Sequence, residues 1–216
     1  MINEYFDEVY VINLDERTDR IMEVGKELHK AKIDYNRISA VKLESLEDIN
    51  TLCYDRFEHK EEKYIKGAIG CKLSHIKVIQ HAKKEGYDKI LILEDDVKVR
   101  EDSNDLFKSI LPQIESVDWD MLYLGGRYHL GGYYPDGSTW DQEQVDKNLL
   151  KLRGAMCTCG YALSKSIYDE ILDYAFQSGQ EIDIFYYTMH QFRRNFEYYG
   201  IIPEFLQQLD DDSDIK

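Results

Sequence analysis

The first apolar run, Glu8-Val9-Tyr10-Val11-Ile12-Asn13-Leu14, is short and unbroken, and predicts a strand ending near Asn13-Leu14-Asp15. The period then changes. Ile21, Val24, Leu28 and Ala31 fall on one face of a helix whose N-cap would be Asp15 or Thr18. Residues 35–41 predict a second strand, so the chain opens as a βαβ unit, which favours a parallel sheet. Residues 43–64 are highly charged and weakly periodic, and read as a short helix plus a mobile loop. Gly67 and Gly70 are expected to precede a helix running to about Glu85, with Leu73, Ile76 and Ile79 on its buried face and Gly86 just past its end.

Beyond the next strand, residues 104–115 predict a helix interrupted near Pro112. Trp119 to Leu124 predicts a strand closed by Gly125-Gly126. The Gly-, Tyr- and Asp-rich stretch from Tyr128 to Asp146 suggests a long loop over a site. Leu149–Leu152 and Met156–Leu163 read as two strands of a hairpin arm. A helix opening at Ser164, with Ile167, Ile171 and Tyr174 on one side, a helix over 182–192 and a strand over 196–202 follow. The acidic tail, residues 207–216, is expected to be mobile. With no repeat and no linker, a single domain over residues 1–216 is the simplest account.

The strand on which the pattern turns is Lys89-Ile90-Leu91-Ile92-Leu93-Glu94-Asp95-Asp96-Val97. Four apolar residues end on three carboxylates. Side chains alternate along a strand, so Glu94 and Asp96 should share one side and Asp95 the other. Two carboxylates about 4 Å apart repel by roughly 1 kcal/mol in water and about 4 kcal/mol at an effective dielectric of 20. Such a cluster needs open water, a basic partner or a cation. Ligands of open α/β sheets gather at the carboxyl ends of strands, which suits a metal and nucleotide-sugar site. A solvated strand end is the alternative.

Composition narrows the choice. The chain has 216 residues, 43% hydrophobic and 32% charged, as in a globular domain. Its net charge of -15 argues against nucleic acid or an anionic membrane surface as partner. No run of 18 apolar residues exists to make a transmembrane span, and Met1 to Glu8 lacks the pattern of a signal peptide, so a cytoplasmic location is expected. Oligomeric state is left open. Of the four cysteines, Cys53, Cys71, Cys157 and Cys159, only the last two are close. No second pair has zinc-finger spacing, which argues against a structural zinc site, and free thiols in a reducing compartment are expected.

Two other segments carry polar groups suited to ligand. Arg17 and Arg20, after the first strand, could clasp a diphosphate or pair with neighbouring acids on an exposed helix. Gly67-x-x-Gly70-Cys71-x-x-Ser74-His75 could bring helix N-terminal amides to an anion, with His75 on ligand or structural. It is neither a P-loop nor a dinucleotide fingerprint. The acidic end fits a receiver domain or a haloacid-dehalogenase-type phosphatase poorly, by its place in the chain and by Glu94 in the nucleophile's position. It suits a hard divalent cation shared with substrate phosphates.

In order along the chain, these pieces resemble glycosyltransferase family 25, which includes lipooligosaccharide galactosyltransferases of lipopolysaccharide biosynthesis and collagen hydroxylysine galactosyltransferases. The matching residues are Val11-Ile12-Asn13-Leu14-Asp15-x-Arg17-x-Asp19-Arg20, Ser39-Ala40-Val41, Gly67-x-x-Gly70-Cys71-x-x-Ser74-His75 and Leu93-Glu94-Asp95-Asp96. Trp119-Asp120, Leu122-x-Leu124-Gly125, Gly160-Tyr161-Ala162-Leu163-Ser164, Glu181-Ile182-Asp183 and Ser213-Asp214-Ile215 continue the match. The resemblance implies a single-domain, GT-A-like α/β fold with a mostly parallel central sheet flanked by helices. It also implies a UDP-sugar donor, usually with Mn²⁺ (or Mg²⁺), and inverting transfer of a hexose, galactose or glucose, to a glycan or hydroxylysine-type protein acceptor.

By that resemblance, Glu94, Asp95 and Asp96 match a DxD-like motif. Glu94 and Asp96 form the metal-facing pair with Asp96 as direct ligand, and Glu94 or Asp95 contacts ribose or a metal-bound water. Asn13, Arg17, Ala40 and Val41 would line the nucleotide, with Ser74 and His75 near the diphosphate or donor sugar. Asp183, opening a helix in the acceptor-side half, is the first candidate base and Asp120 the second. The pattern departs from the family in lacking Pro before Ile182-Asp183. The last histidine is His190, so a late histidine ligand for metal is doubtful. A catalytically silent nucleotide-sugar or glycan-binding module of the same fold is the alternative.

Overall fold

The computed structural model describes residues 1–47, 60–128, 132–133, 139–140, 142–193 and 195–208. Its centre is an eight-stranded sheet in the order β2 (Asn36–Ser39), β1 (Glu8–Asn13), β3 (Lys89–Glu94), β10 (Ala155–Ser164), β5 (Met121–Tyr128), β11 (Tyr198–Ile201), β9 (Leu149–Lys151) and β8 (Glu143–Asp146). From the pairings, β2, β1, β3, β5, β11 and β8 run one way, and β10 and β9 run against them. The sheet is therefore mixed but mostly co-directional.

Both faces are covered, which is why β1 and β3 read as continuous apolar runs. Val9, Val11, Leu91 and Leu93 face one layer with Val24 and Leu28 of α2 (Thr18–Lys30) and Phe107, Ile110 and Ile114 of α4 (Ser103–Ile114). Tyr10, Ile12, Ile90 and Ile92 face the other, with Ile76 and Ile79 of α3 (Glu62–Glu85), Ile171 of α5 (Tyr168–Ala175) and Phe185, Tyr186 and Met189 of α6 (Ile182–Phe192). Each fully buried Leu or Ile contributes roughly 2 kcal/mol. A short helix, α1 (Ile2–Tyr5), precedes the first strand. Beside the main sheet, β12 (Leu206–Gln208) pairs antiparallel with β4 (Val97–Val99).

Several elements depart from the pattern reading. The helix α3 begins at Glu62, so Gly67 and Gly70 lie inside it and not before it. At α2 the N-cap is Arg17, and the Asp15 carboxylate instead takes Arg37 and Ser39. Pro112 sits in the last turn of α4 without breaking it, where it forfeits one intrahelical bond. The strand β5 runs on through Gly125-Gly126 to Tyr128. The expected hairpin arm does not form: β9 pairs with β11 and β8, whereas β10 runs between β3 and β5. Tyr174 is exposed, under the Arg193 guanidinium 4.3 Å from its ring centre. Gln207 and Gln208 belong to β12 and not to a mobile tail; residues 209–216, with Ser213-Asp214-Ile215, lie outside the described residues. So do residues 48–59 of the 43–64 stretch, expected as a short helix plus a loop, and most of the 129–141 stretch, of which β6 (Gly132–Tyr133) pairs with β7 (Thr139–Trp140). Cys71, Cys157 and Cys159 are free thiols. Among the described residues, no helix is long and apolar enough to cross a membrane.

Candidate functional site

Register decides what meets at the sheet's edge. Asn13 ends β1 opposite Ser39 of β2, and Ile12 lies opposite Glu94, the last residue of β3. The antiparallel β10 enters from that same edge, since Gly160 pairs with Leu93, and so it delivers Thr158 beside the acids. The strand stops at Glu94. Asp95 and Asp96 form the turn into β4, so strand alternation does not extend over them.

Each carboxylate has a different environment. Glu94 Oε1 accepts from Thr158 Oγ1 and lies 3.2 Å from His75 Nε2. Burial alone would raise its pKa, but His75, Thr158 and the Arg20 charge outweigh that and hold it low. Asp95 is raised by burial, against the pull of Asn13 and Arg20. Its Oδ2 accepts from Asn13 Nδ2 at 2.6 Å and its Oδ1 lies 3.2 Å from Arg20 Nη1, a pair only 11% and 8% exposed. Asp96 is 9% exposed; Oδ2 accepts from Gln208 Nε2 at 3.2 Å, and Oδ1 is buried without a hydrogen-bond partner. Burial, then the Glu94 charge, pushes Asp96 up to about 6. With Glu94 held ionised, Asp96 is the acid that keeps its proton longest.

A cleft of about 370 Å³ opens over this turn. Ala40, Val41, Lys42 and Leu43 form one wall, and Lys63, Lys66, Gly67 and Cys71 of α3 form another. A Cβ on Gly70 would come within 2.5 Å of the Val41 carbonyl oxygen. Glycine there lets the wall approach the helix. Ser74 Oγ fastens it, donating to the Gly70 carbonyl and accepting from the Val41 amide at 2.8 Å. Gly70 and Ser74 therefore build the cleft instead of offering helix N-terminal amides to an anion. His75 is fully buried between Tyr161 Oη, 2.7 Å from Nδ1, and Glu94. Its reach is to Glu94, not to open space.

Asn13 lines the cleft, but its amide is committed: Nδ2 donates to the Arg17 carbonyl and Asp95, and Oδ1 accepts from Arg37 at 2.8 Å. Arg20 borders the cleft, paired to Asp95. Arg17 does not line it and forks onto Asp19. Asp183 sits in the first turn of α6, half-buried, with Oδ1 accepting from the Ile184 amide at 2.7 Å. Burial, then Glu181 and Glu94, raises its pKa, and the burial-raised Cys71 thiol feels its charge. Asp183 is thus within electrostatic reach of Glu94, but it does not line the cleft. Asp120 lies elsewhere. It precedes Met121, which pairs with Leu163 at the edge away from Glu94, and it takes Ser166 Oγ and the Glu197 amide. His190 is buried against the rings of Tyr123 and Tyr198, remote from the acids in its contacts.

The model of glycosyltransferase family 25 (LPS biosynthesis protein) matches residues 6–186. The chain belongs to glycosyltransferase family 25. Procollagen galactosyltransferase 2 of Mus musculus is 27% identical over 168 residues, 74% of this chain and 26% of the relative. The inactive glycosyltransferase 25 family member 3 of Homo sapiens is 30% identical over 129 residues, 56% of this chain and 22% of the relative. The chain thus spans about a quarter of the length of these relatives. A solved glycosyltransferase involved in the glycosylation of the major capsid of PBCV-1 is similar at TM-score 0.46 and 14% identity, over 96% of this chain and 94% of that one.

In this family 25 protein, the site residues that pattern reading missed are Thr158, Gln208 and Arg37, which hold Glu94, Asp96 and Asn13. Thr158 lies in the Cys157-Thr158-Cys159 triplet, where the β10–β5 register shifts and Cys157 takes a φ of 74. No local signal marks the three; non-local strand pairing brings Thr158 and Gln208 to the acids.

Proposed function

We propose that this family 25 chain is a hexosyltransferase that moves galactose or glucose from a UDP-sugar to a hydroxyl of a glycan or hydroxylysine-type protein, with inversion and a divalent metal. The observation that carries the reading is Asp96 Oδ1, a buried carboxylate oxygen without a partner at the floor of the cleft. Orphaned buried oxygens are costly, and a hard cation satisfies one directly. Of the three acids, Asp95 has both oxygens engaged and Glu94 has Oε1 taken by His75 and Thr158, so Asp96, with Oδ1 bare, is the chain's leading ligand to Mn²⁺ or Mg²⁺. Bound there, the metal would supply Lewis-acid stabilisation of the departing diphosphate. Arg20, Lys42, Lys63 and Lys66 border the cleft beside Glu16, Glu44, Glu94, Asp95 and Asp96, so binding a diphosphate there calls for the metal's charge in addition to theirs. Arg17 has no part in this account.

Asp183 is the base. As the acceptor oxygen bonds to the anomeric carbon and the bond to UDP breaks, the hydroxyl proton passes to its carboxylate. Its raised pKa suits that task. Relatives named procollagen galactosyltransferases favour galactose and a collagen-type acceptor, and the LPS wording of the family description favours a glycan. Relatives named inactive motivate a second reading, a silent module that keeps the donor cleft. The test has two stages. UDP with Mn²⁺ should raise the melting temperature by mass action, and no shift at millimolar concentrations would contradict both readings. Release of UDP from a scan of UDP-sugars then separates the enzyme from the module.

A further inference from the structure

A second cluster at the cleft floor has a different chemistry. Cys71 and His75 stand four residues apart on α3 and so share a helix face. Glu94 comes to them from the end of β3. The Cys71 sulfur, a His75 ring nitrogen and a Glu94 carboxylate oxygen all lie within 4.8 Å of one another. We propose that Cys71, His75 and Glu94 form a binding site for a thiophilic divalent cation of the zinc class.

The spacing suits a tetrahedral ion. Zinc–ligand bonds of about 2.0–2.3 Å put neighbouring ligand atoms roughly 3.3–3.7 Å apart. His75 Nε2 and Glu94 Oε1 are already 3.2 Å apart. Cys71 Sγ needs to close by at most about 1 Å to join them. An outer shell is also in place. Metal-bound imidazoles engage a partner through the other ring nitrogen, which fixes the ring. Here Tyr161 Oη sits 2.7 Å from His75 Nδ1 and is itself 3.1 Å from Tyr186 Oη. Thr158 holds the carboxylate. Cys71 borders the open cleft, which offers the ion an entry path and a fourth position for water. Sulfur, imidazole and carboxylate together select zinc-class ions, whereas Mn²⁺ and Mg²⁺ prefer oxygen alone. The site does not use Asp96, although Cys71 and Glu94 line the same cleft as the proposed donor site; its geometry holds whether or not that cleft takes a nucleotide sugar.

Cobalt(II) titrated into the metal-free full chain under reducing conditions reports thiolate coordination by its charge-transfer absorption and tetrahedral geometry by its visible bands. Both should appear at one equivalent, be displaced by Zn²⁺, and vanish in Cys71→Ser while persisting in Cys157→Ser and Asp96→Asn. Zn²⁺ affinity should fall at least about tenfold in Cys71→Ser. Peptide-mapped alkylation of wild type needs no variant, and Zn²⁺ should slow modification of Cys71 specifically. Absence of the cobalt bands, their survival in a folded Cys71→Ser variant, or unchanged Cys71 alkylation with Zn²⁺ would overturn the site.

Discussion

Asn13 Nδ2 donates to Asp95 Oδ2 at 2.6 Å, and this bond ties the end of β1 to the acidic turn after β3. The same side chain accepts from Arg37 and donates to the Arg17 carbonyl. Asn13→Ala therefore strands three polar groups at once. Unsatisfied buried groups cost about 1–3 kcal/mol each, and partial rehydration of Arg37 offsets some of that. Urea denaturation should show a loss of about 2–4 kcal/mol. A change below about 0.5 kcal/mol would mean the bond is incidental.

Asp96 should oppose folding in the metal-free protein. Its folded pKa of about 6 exceeds the ordinary carboxylate value, so the native state binds more protons than the unfolded state between about pH 4 and 6. Stability falls as pH rises through that window. Asp96→Asn, which cannot ionise, should stabilise the metal-free chain by about 2 kcal/mol at pH 7.5 and by almost nothing near pH 4. Melting curves across pH check the sign. A variant destabilised at pH 7.5 would show that Asp96 is satisfied without a ligand.

Gly70→Ala inverts an ordinary rule. Within a helix that exchange usually stabilises by about 1 kcal/mol. Here the new methyl would sit 2.5 Å from the Val41 carbonyl oxygen. Displacing the 40–44 wall should cost about 1–3 kcal/mol and weaken nucleotide binding. Paired melting and UDP-binding titrations test it. A stabilised variant with unchanged UDP affinity would show that the wall yields freely.

His190 is the reverse titration. Burial lowers it to about 3, and neither ring nitrogen has a hydrogen-bond partner among the described residues. The unfolded chain takes up a proton below about pH 6.5 that the native chain refuses, so stability is lost as pH falls from there. His190→Leu should gain about 1 kcal/mol at pH 7. At pH 5 the gain should be roughly 2 kcal/mol larger. A pH-independent difference would place a hidden polar partner on the ring.

The fold was legible where burial is two-sided or periodic. The unbroken runs of β1 and β3 and the stripe at Val24, Leu28 and Ala31 reflect local geometry, and α6 occupies the expected residues. What failed was non-local. Leu149–Lys151 looks like a hairpin partner of Met156–Leu163, but its pairing is with β11, from late in the chain. Gly70 resembles part of a loop before a helix because its cause, the Val41 carbonyl, lies some thirty positions upstream. The candidate acids were visible as a motif, and alternation put Glu94 and Asp96 on one side with Asp96 as the direct ligand, but the contacts that set them apart were not visible: His75 and Thr158 engage Glu94 Oε1, and Asp96 Oδ1 is bare. Asp120, the second candidate base after Asp183, is put at the far edge by strand direction.

UDP release from UDP-galactose and UDP-glucose with Mn²⁺, compared among wild type, Asp96→Asn and Asp120→Asn at pH 7.5, tests the central claim most directly. The account predicts release by wild type, at least about 100-fold less by a folded Asp96→Asn, and release by any folded Asp120→Asn within a few-fold of wild type. Release by Asp96→Asn at the wild-type rate would contradict it.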